Sequence, residues 1–529
     1  MKQIVKSEIL ILPFILLVSM SWKSWLIFSG HVPFNADEAV VGLMARHILQ
    51  GERPVFFYGQ NYMGSLDAAL VSLGFTLFGE QIWVIRAAQS LLYLGLLLTT
   101  YYLGKEVFSS GRVGWIAAGL LSIPTVNMTL YTTVSLGGYG EALLLGNFIL
   151  LLTVRLSRRF RVVEAFLWGG LAGLGLWANA LTMVYVVPGL VFLMVNRRRT
   201  THEMGRLLLW IGLGGFLGAF PWWWYALRHG WYHLIAELTG SAVSVEQVPW
   251  LARSGMHLVY FLLLGLPVIF GLRPPWAVEW LALPLIPFAV AGWGILLVES
   301  VRLAKRQIEM QKGYRLLLGV GVTLIGGFVF TAFGVDPSGR YFLPLAVPLA
   351  LMAAAGASFS QLPRWLTCAA LMAIVSFQVA GNLQTGLTYP PGLTTQFHAP
   401  TILEHRYDEE LIRFLQDQGE TRGYTHYWVA YPLAFQSSET LIFIPRLPYH
   451  TDLRYTSRDD RYAPYKDLVE SSSRVAYITT NNPALDRQIT DGFRRLGINW
   501  EEKHIGDYHI FYSLSQKVTP EELGIGEKP

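Results

Sequence analysis

Apolar residues in this chain are gathered into runs of the length that crosses a bilayer. A crossing helix needs roughly 20 apolar residues to span a hydrocarbon core about 30 Å thick. Runs that meet or approach this lie near 9–28, 82–104, 112–130, 141–156, 162–177, 178–196, 206–227, 279–299, 315–333, 341–360 and 364–381. Charges are bunched between them. Three basic clusters stand out: Arg155, Arg158, Arg159 and Arg161; Arg197, Arg198, Arg199 and Arg206; and Arg302, Lys305, Arg306, Lys312 and Arg315. All three fall on the cytoplasmic side if the N-terminus is inside. The N-terminus is basic, and the run behind it is long for a signal peptide, so the pattern predicts a retained first helix. Asp37-Glu38, the 131–140 turn, the 228–254 loop and Asp336–Arg340 then share the outer side with the C-terminal region.

One run breaks the alternation. Residues 256–272 are apolar enough to cross, but counting them puts the 301–315 cluster outside. They are read as a re-entrant or interfacial helix interrupted by Pro267, the alternative being that they cross and a neighbour does not. Residues 37–50 place Val40, Val41, Met44 and Ile48 on one face, which with Arg46 predicts a helix lying in the membrane surface. Residues 65–79 predict a second short apolar helix. Tryptophan and tyrosine concentrate at expected interfaces, as in Trp222-Trp-Trp-Tyr225.

Beyond residue 381 the pattern changes. A linker over 382–400, rich in Gly, Thr and Pro from Leu387, leads into 401–529. There a helix is expected at Asp408–Gln418 and another at Ala484–Leu496. Strands are expected at Gly423–Val429, Thr440–Ile444, Arg474–Thr479 and His509–Leu514. The fold class is therefore an α-helical polytopic membrane protein with about eleven transmembrane helices and a small C-terminal α/β domain. Its membrane domain covers 1–381, with a first outer loop over 30–81.

Composition sharpens this. Of 529 residues, 53% are hydrophobic and 15% charged, against about 25% charge in a soluble domain. The +5 net charge resides mostly in short inter-span loops, so it reports orientation rather than a nucleic-acid partner. A single cysteine, Cys368, excludes an intrachain disulfide framework.

Candidate chemistry gathers on the outer side. Asp37 and Glu38 follow the first span; they cap the next helix, serve as a fixed base, or do both. Asp336-Pro-Ser-Gly-Arg-Tyr341 directly precedes a late helix. The planar fork of Arg340 suits a phosphate, with Tyr341 beside it, the alternative being interfacial anchoring. Leu136-Gly-Gly-Tyr-Gly-Glu141 carries Tyr139 and Glu141 at the mouth of a span, as a ligand site or as a turn with an N-terminal carboxylate. Phe56–Asp67 offers Tyr58, Gln60, Tyr62 and Asp67 for sugar stacking and hydroxyl recognition, residues that a packed loop would also use. The scattered histidines have no ligand spacing, and no metal site is assigned to them.

The segment Asn35-Ala-Asp-Glu-Ala39 through Gly51-Glu-Arg-Pro-Val-Phe-Phe-Tyr-Gly-Gln-Asn-Tyr-Met-Gly64 resembles the first outer loop of GT-C glycosyltransferases. It is most similar to the aminoarabinose transferase and protein O-mannosyltransferase group. Arg340-Tyr-Phe-Leu-Pro-Leu345 is similar to the Arg-Tyr-x-x-Pro pattern before a late span there. The resemblance covers roughly residues 5–380 and implies an integral membrane transferase, with its active site outside the cytoplasm and a polyprenyl-phosphate sugar as donor. It implies Asp37 as base or acceptor-orienting group, Arg340 as donor-phosphate ligand and, loosely, Glu141 as a second acidic residue. The acceptor it leaves open is a lipid, glycan or protein, and divalent-metal use is open too. The bacterial inner (plasma) membrane is the location it suggests. Two other classes compete: a lipid or glycan flippase, and a non-catalytic scaffold of envelope assembly. Few mid-span charges and no evident inverted repeat weigh against transport.

Overall fold

The computed structural model describes residues 2–195, 200–238, 248–306, 308–388, 392–450 and 452–526. The basic residues Arg197, Arg198 and Arg199, residues 239–247 of the 228–254 loop and residues 389–391 of the linker lie outside them. The chain forms two compact units. One comprises Met1–Ser29, Tyr62–Asp67 and Arg86–Leu387, the other Gly30–Asn61, Ala68–Ile85 and Thr388–Pro529.

The first unit is helical. Eight described helices are long and apolar enough to cross a bilayer, and the pair Thr201–Gly218 and Phe220–His229, bent by 62°, makes a ninth if it is one span. Three expected spans are divided or short of full crossing length. The 112–130 run divides into Gly111–Leu120 and Val126–Tyr131, because Pro124 lacks an N–H and biases the residue before it away from helix. The 162–177 run is the helix Val162–Ala178, stopped at Asn179, whose extended backbone lets its side chain accept the Leu181 N–H at 3.0 Å. The 178–196 run is a 3₁₀ turn followed by Met183–Val195. Small residues let these helices approach closely. A Cβ on Gly169 would come within 2.0 Å of the Ile211 carbonyl, and one on Gly214 within 2.0 Å of the Phe166 carbonyl.

A charge in the first span is fully engaged. Lys23 is buried, and its ammonium donates to the Thr132 carbonyl at 2.7 Å and to the Thr133 hydroxyl at 2.9 Å, over the Tyr93 ring. The ambiguous 256–272 run belongs to a helix over Trp250–Ile269, with a π turn at Phe261–Gly265 that accommodates Pro267. That helix is one of the eight described helices long and apolar enough to cross. One end bonds Phe330 through Trp250 at 3.3 Å, and just past the other Arg273 bonds Pro337 at 2.6 Å.

The second unit holds a five-stranded sheet: β1 (Arg422–Thr425), β2 (Ile442–Pro445), β3 (Ala476–Thr480), β4 (Glu501–Ile505) and β5 (Tyr508–Tyr512). The order is β2-β1-β3-β5-β4, with β1 parallel to β2 and β3, and β5 antiparallel to β3 and β4. The expected strand over 423–429 stops at Thr425, and Tyr427–Gln436 is helical. Strand β4 went unforeseen because its sequence, Glu-Glu-Lys-His-Ile, is almost wholly exposed at a sheet edge, where charge is the usual protection.

Two segments of the first outer loop complete this unit. The helix Ala36–Leu49 was expected to lie in the membrane surface. Instead its apolar face is covered by protein: Val40, Val41 and Met44 are buried, and a Cβ on Gly42 would come within 2.7 Å of the Phe435 ring. Arg46 is buried with them, bonded to Glu80 at 2.6 Å and to the Phe435 carbonyl at 3.1 Å. The helix Leu66–Phe78 keeps Leu73, Leu77 and Phe78 exposed, as a surface-seeking helix would.

Candidate functional site

The guanidinium constellation lies in the first unit, on the turn before the helix Ala346–Phe359. Asp336 shapes that turn: one carboxylate oxygen accepts the Ser338 N–H at 2.9 Å, and the other pairs with Arg340 Nη2 at 2.6 Å. Gly339 has φ +126°, open to glycine alone, and a Cβ there would meet Asn127 Oδ1 at 2.6 Å. Asn127 Nδ2 donates to the Gly339 carbonyl at 3.1 Å, and Arg273 clasps Pro337. Arg340 is thus mounted on a rigid turn. Its guanidinium lies 5.0 Å from the Tyr341 ring centre, and its side chain is 34% exposed. Its Nε is buried and has no hydrogen-bond partner among the described residues.

Beside this turn the first unit contains a cavity of about 340 Å³. Tyr62, Tyr139 and Tyr341 line part of its wall, and Leu324, Phe328, Met183 and Val184 make much of the remainder apolar. The guanidinium of Arg340 lies against the ring of Tyr341, one of those wall residues. An apolar hollow walled in part by tyrosines, with Arg340 next in sequence to the wall residue Tyr341, suits an amphipathic ligand with an anionic head.

Asp67 and Glu141 are brought together in the same unit, both buried. Asp67 accepts Gln89 Nε2 at 2.9 Å, the Ser135 hydroxyl and the N–H groups of Gly137 and Gly138. The two glycines, at φ +87° and +86°, bend the backbone around this carboxylate. Asp67 thereby fixes the turn that presents Tyr139.

The carboxylate constellation lies in the second unit. Asn35 caps the helix Ala36–Leu49 through a capping box: its side chain accepts the Asp37 N–H at 2.8 Å, and Glu38 accepts the Asn35 N–H at 3.5 Å. Glu38 is buried in that cap, so of the acidic pair Asp37 is the half-buried one. The Tyr427 hydroxyl donates to Asp37 Oδ1; Oδ2 takes no hydrogen bond among the described residues. Burial and the neighbouring Asp37 charge push the Tyr427 phenol well above its usual range, so it remains a donor. The Arg461 guanidinium lies 5.2 Å from the Tyr427 ring centre. Asp459 is close enough to feel both charges: burial pushes its carboxyl up to about 7, Arg461 lowers it and Asp37 raises it.

Tyr58 is engaged elsewhere in this unit. Its hydroxyl donates to Glu52 at 2.7 Å and meets His47 Nδ1 at 2.9 Å, and its ring stacks on Tyr462 at 4.7 Å. The packed-loop reading fits it better than sugar recognition. Gln60 is half-buried in the extended segment Gln60–Gly64. Tyr427, Asp459 and Arg461 carried no sequence signal. They lie some 390 to 425 residues beyond Asp37 and belong to no motif. Among the described residues no three His, Cys, Asp or Glu side chains converge as a metal ion would require.

Residues 66–225 match the family described as dolichyl-phosphate-mannose-protein mannosyltransferase. No curated protein sequence matches the chain. Among solved structures, ArnT from Cupriavidus metallidurans bound to undecaprenyl phosphate is similar at TM-score 0.57 and 12% identity, over 94% of this chain and 97% of that one. The Archaeoglobus fulgidus oligosaccharyltransferase tethered to an acceptor peptide is similar at TM-score 0.51 and 12% identity, over 89% and 69%. The same archaeal enzyme, AglB, with an inhibitory peptide and a dolichol-phosphate, gives 0.50 and 14% over the same shares. At such identities the likeness shows the fold, and that fold is the GT-C type of integral membrane protein.

Proposed function

We propose that this protein is a membrane glycosyltransferase that moves a sugar from a polyprenyl-phosphate carrier to an acceptor hydroxyl outside the cytoplasm. The observation that carries the reading is the rigidly mounted Arg340 beside an apolar, tyrosine-bordered cavity. Such a site suits a lipid tail and a phosphate head together. The fold adds support, since ArnT and AglB of similar fold have been seen with undecaprenyl phosphate and dolichol-phosphate.

The roles follow from the chemistry. Arg340 and Tyr341 hold the donor phosphate, with Tyr139 and Tyr62 bordering the sugar. Asp37 takes the proton of the acceptor hydroxyl. The oxygen attacks the anomeric carbon from the face opposite the phosphate, inverting configuration. The anomeric C–O bond breaks with its electron pair going to the lipid phosphate. Arg340 stabilises that growing charge, an electrostatic effect worth about 2.7–4 kcal/mol for a single well-placed donor. Asp67 supports the turn that carries Tyr139, with Glu141 beside it. The setting we infer is a bacterial inner membrane, with the N-terminus cytoplasmic.

The test is transfer by purified protein from labelled polyprenyl-phosphate sugars, read as release of free lipid phosphate. Asp37→Asn and Arg340→Gln should each abolish or strongly reduce it at normal expression. Movement of the lipid across vesicles without any transfer would overturn the reading in favour of a flippase.

A further inference from the structure

We propose that Tyr427, supplied by the C-terminal region, is a positioning residue that fixes the Asp37 carboxylate for proton abstraction. The inference rests on the reading of Asp37 as the base and extends it: the soluble region then belongs to the catalytic machinery.

The geometry carries this in three steps. Asp37 stands on the first turn of a capped helix, so its backbone is fixed, but nothing in the cap restrains the end of its side chain. The Tyr427 hydroxyl supplies that restraint at Oδ1 and leaves Oδ2 as the oxygen available to a substrate hydroxyl. Restricting a base to one orientation is what a proton transfer over about 2.6–3.2 Å requires.

Tyr427 is itself held immovably. It is 3% exposed and opens the helix Tyr427–Gln436, its ring lying 5.3 Å from Tyr431 with Arg461 near it. The backbone N–H of Arg461 donates to the Tyr431 hydroxyl at 2.6 Å, and that hydroxyl donates to the Asp459 carbonyl at 3.1 Å. The first loop closes on the same residues, since a Cβ on Gly59 would come within 2.9 Å of Arg461 Cδ. A bare helix cap needs none of this, because Asn35 and Glu38 already complete it.

The experiment is a kinetic cycle on the full-length protein with a polyprenyl-phosphate sugar donor. Tyr427→Phe removes one oxygen and leaves the packed ring. We expect kcat to fall 10- to 100-fold, donor KM to change less than twofold, and the thermal unfolding midpoint to hold. In an Asp37→Glu background, where the carboxylate reaches a different point, Tyr427→Phe should have little further effect. Wild-type kcat in Tyr427→Phe would overturn the proposal, as would a loss that multiplies unchanged in the Asp37→Glu background. These failures are distinct from failure of the base assignment, which would appear as undiminished turnover in Asp37→Asn whatever Tyr427→Phe does.

Discussion

Asn127 and Gly339 are locked together: the asparagine amide donates to the glycine carbonyl at 3.1 Å, and a Cβ on Gly339 would sit 2.6 Å from the Asn127 oxygen. This contact aims Arg340, the next residue. Gly339→Ala forces a side chain into both a positive-φ backbone and an occupied space, so kcat/KM for the donor should fall at least tenfold. Asn127→Ala removes one hydrogen bond worth about 0.5–1.5 kcal/mol, for a loss of roughly 2- to 12-fold. Initial-rate kinetics on the two variants check the order.

Arg340→Gln removes the charge that we assign to the donor phosphate. A hydrogen bond to a charged group contributes about 1.5–3 kcal/mol, so donor affinity should weaken by roughly 10- to 150-fold. Arg340→Lys keeps the charge without the fork and should recover part of it. Equilibrium binding of a polyprenyl phosphate measures both.

Glu439 ties the first outer loop to the C-terminal region. Burial pushes its carboxyl up, but hydrogen bonds from His47 and Tyr465 and the charge of Arg46 outweigh that and hold it at about 2. A lowered carboxylate contributes stability that is present above its unfolded value, about 4.3, and is lost as pH falls through the folded value. Glu439→Gln should therefore destabilise the protein at pH 7, and the gap from wild type should narrow as pH falls from about 5 towards 2. Thermal unfolding at several pH values reads this.

Asp459 behaves oppositely. Its carboxyl is raised to about 7 by burial and by Asp37, against Arg461. The fold holds the extra proton, so its contribution is full below about 3.9 and is lost as pH rises to about 7. Asp459→Asn should flatten the decline in stability between these limits, and above pH 7 the variant should unfold at a higher temperature than wild type.

Much of the membrane architecture was legible because the length of an apolar run is enough to mark most of the long helices. Pro124 and the bend between Gly218 and Phe220 were the places where local chemistry divided a run that hydropathy joined. A cap was one of the two readings of Glu38, and the fold completes it with Asn35. The burial of helix 36–49 was not. An apolar face reads alike whether lipid or protein covers it, and its cover, Phe435, lies nearly 400 residues away. For the same reason Asp37 could be picked out and Tyr427 could not: one sits in a recognisable motif, and the other meets it through a contact that only folding creates.

The pairing of helix 36–49 with helix 427–436 imposes an order in time. Roughly 380 residues separate Leu49 from Tyr427, and at about 5–20 residues per second the ribosome needs roughly 20–75 s to make them. Throughout that interval Val40, Val41 and Met44 are without their eventual neighbour. The contact between Asp37 and Tyr427 likewise waits until the chain has been made through residue 427.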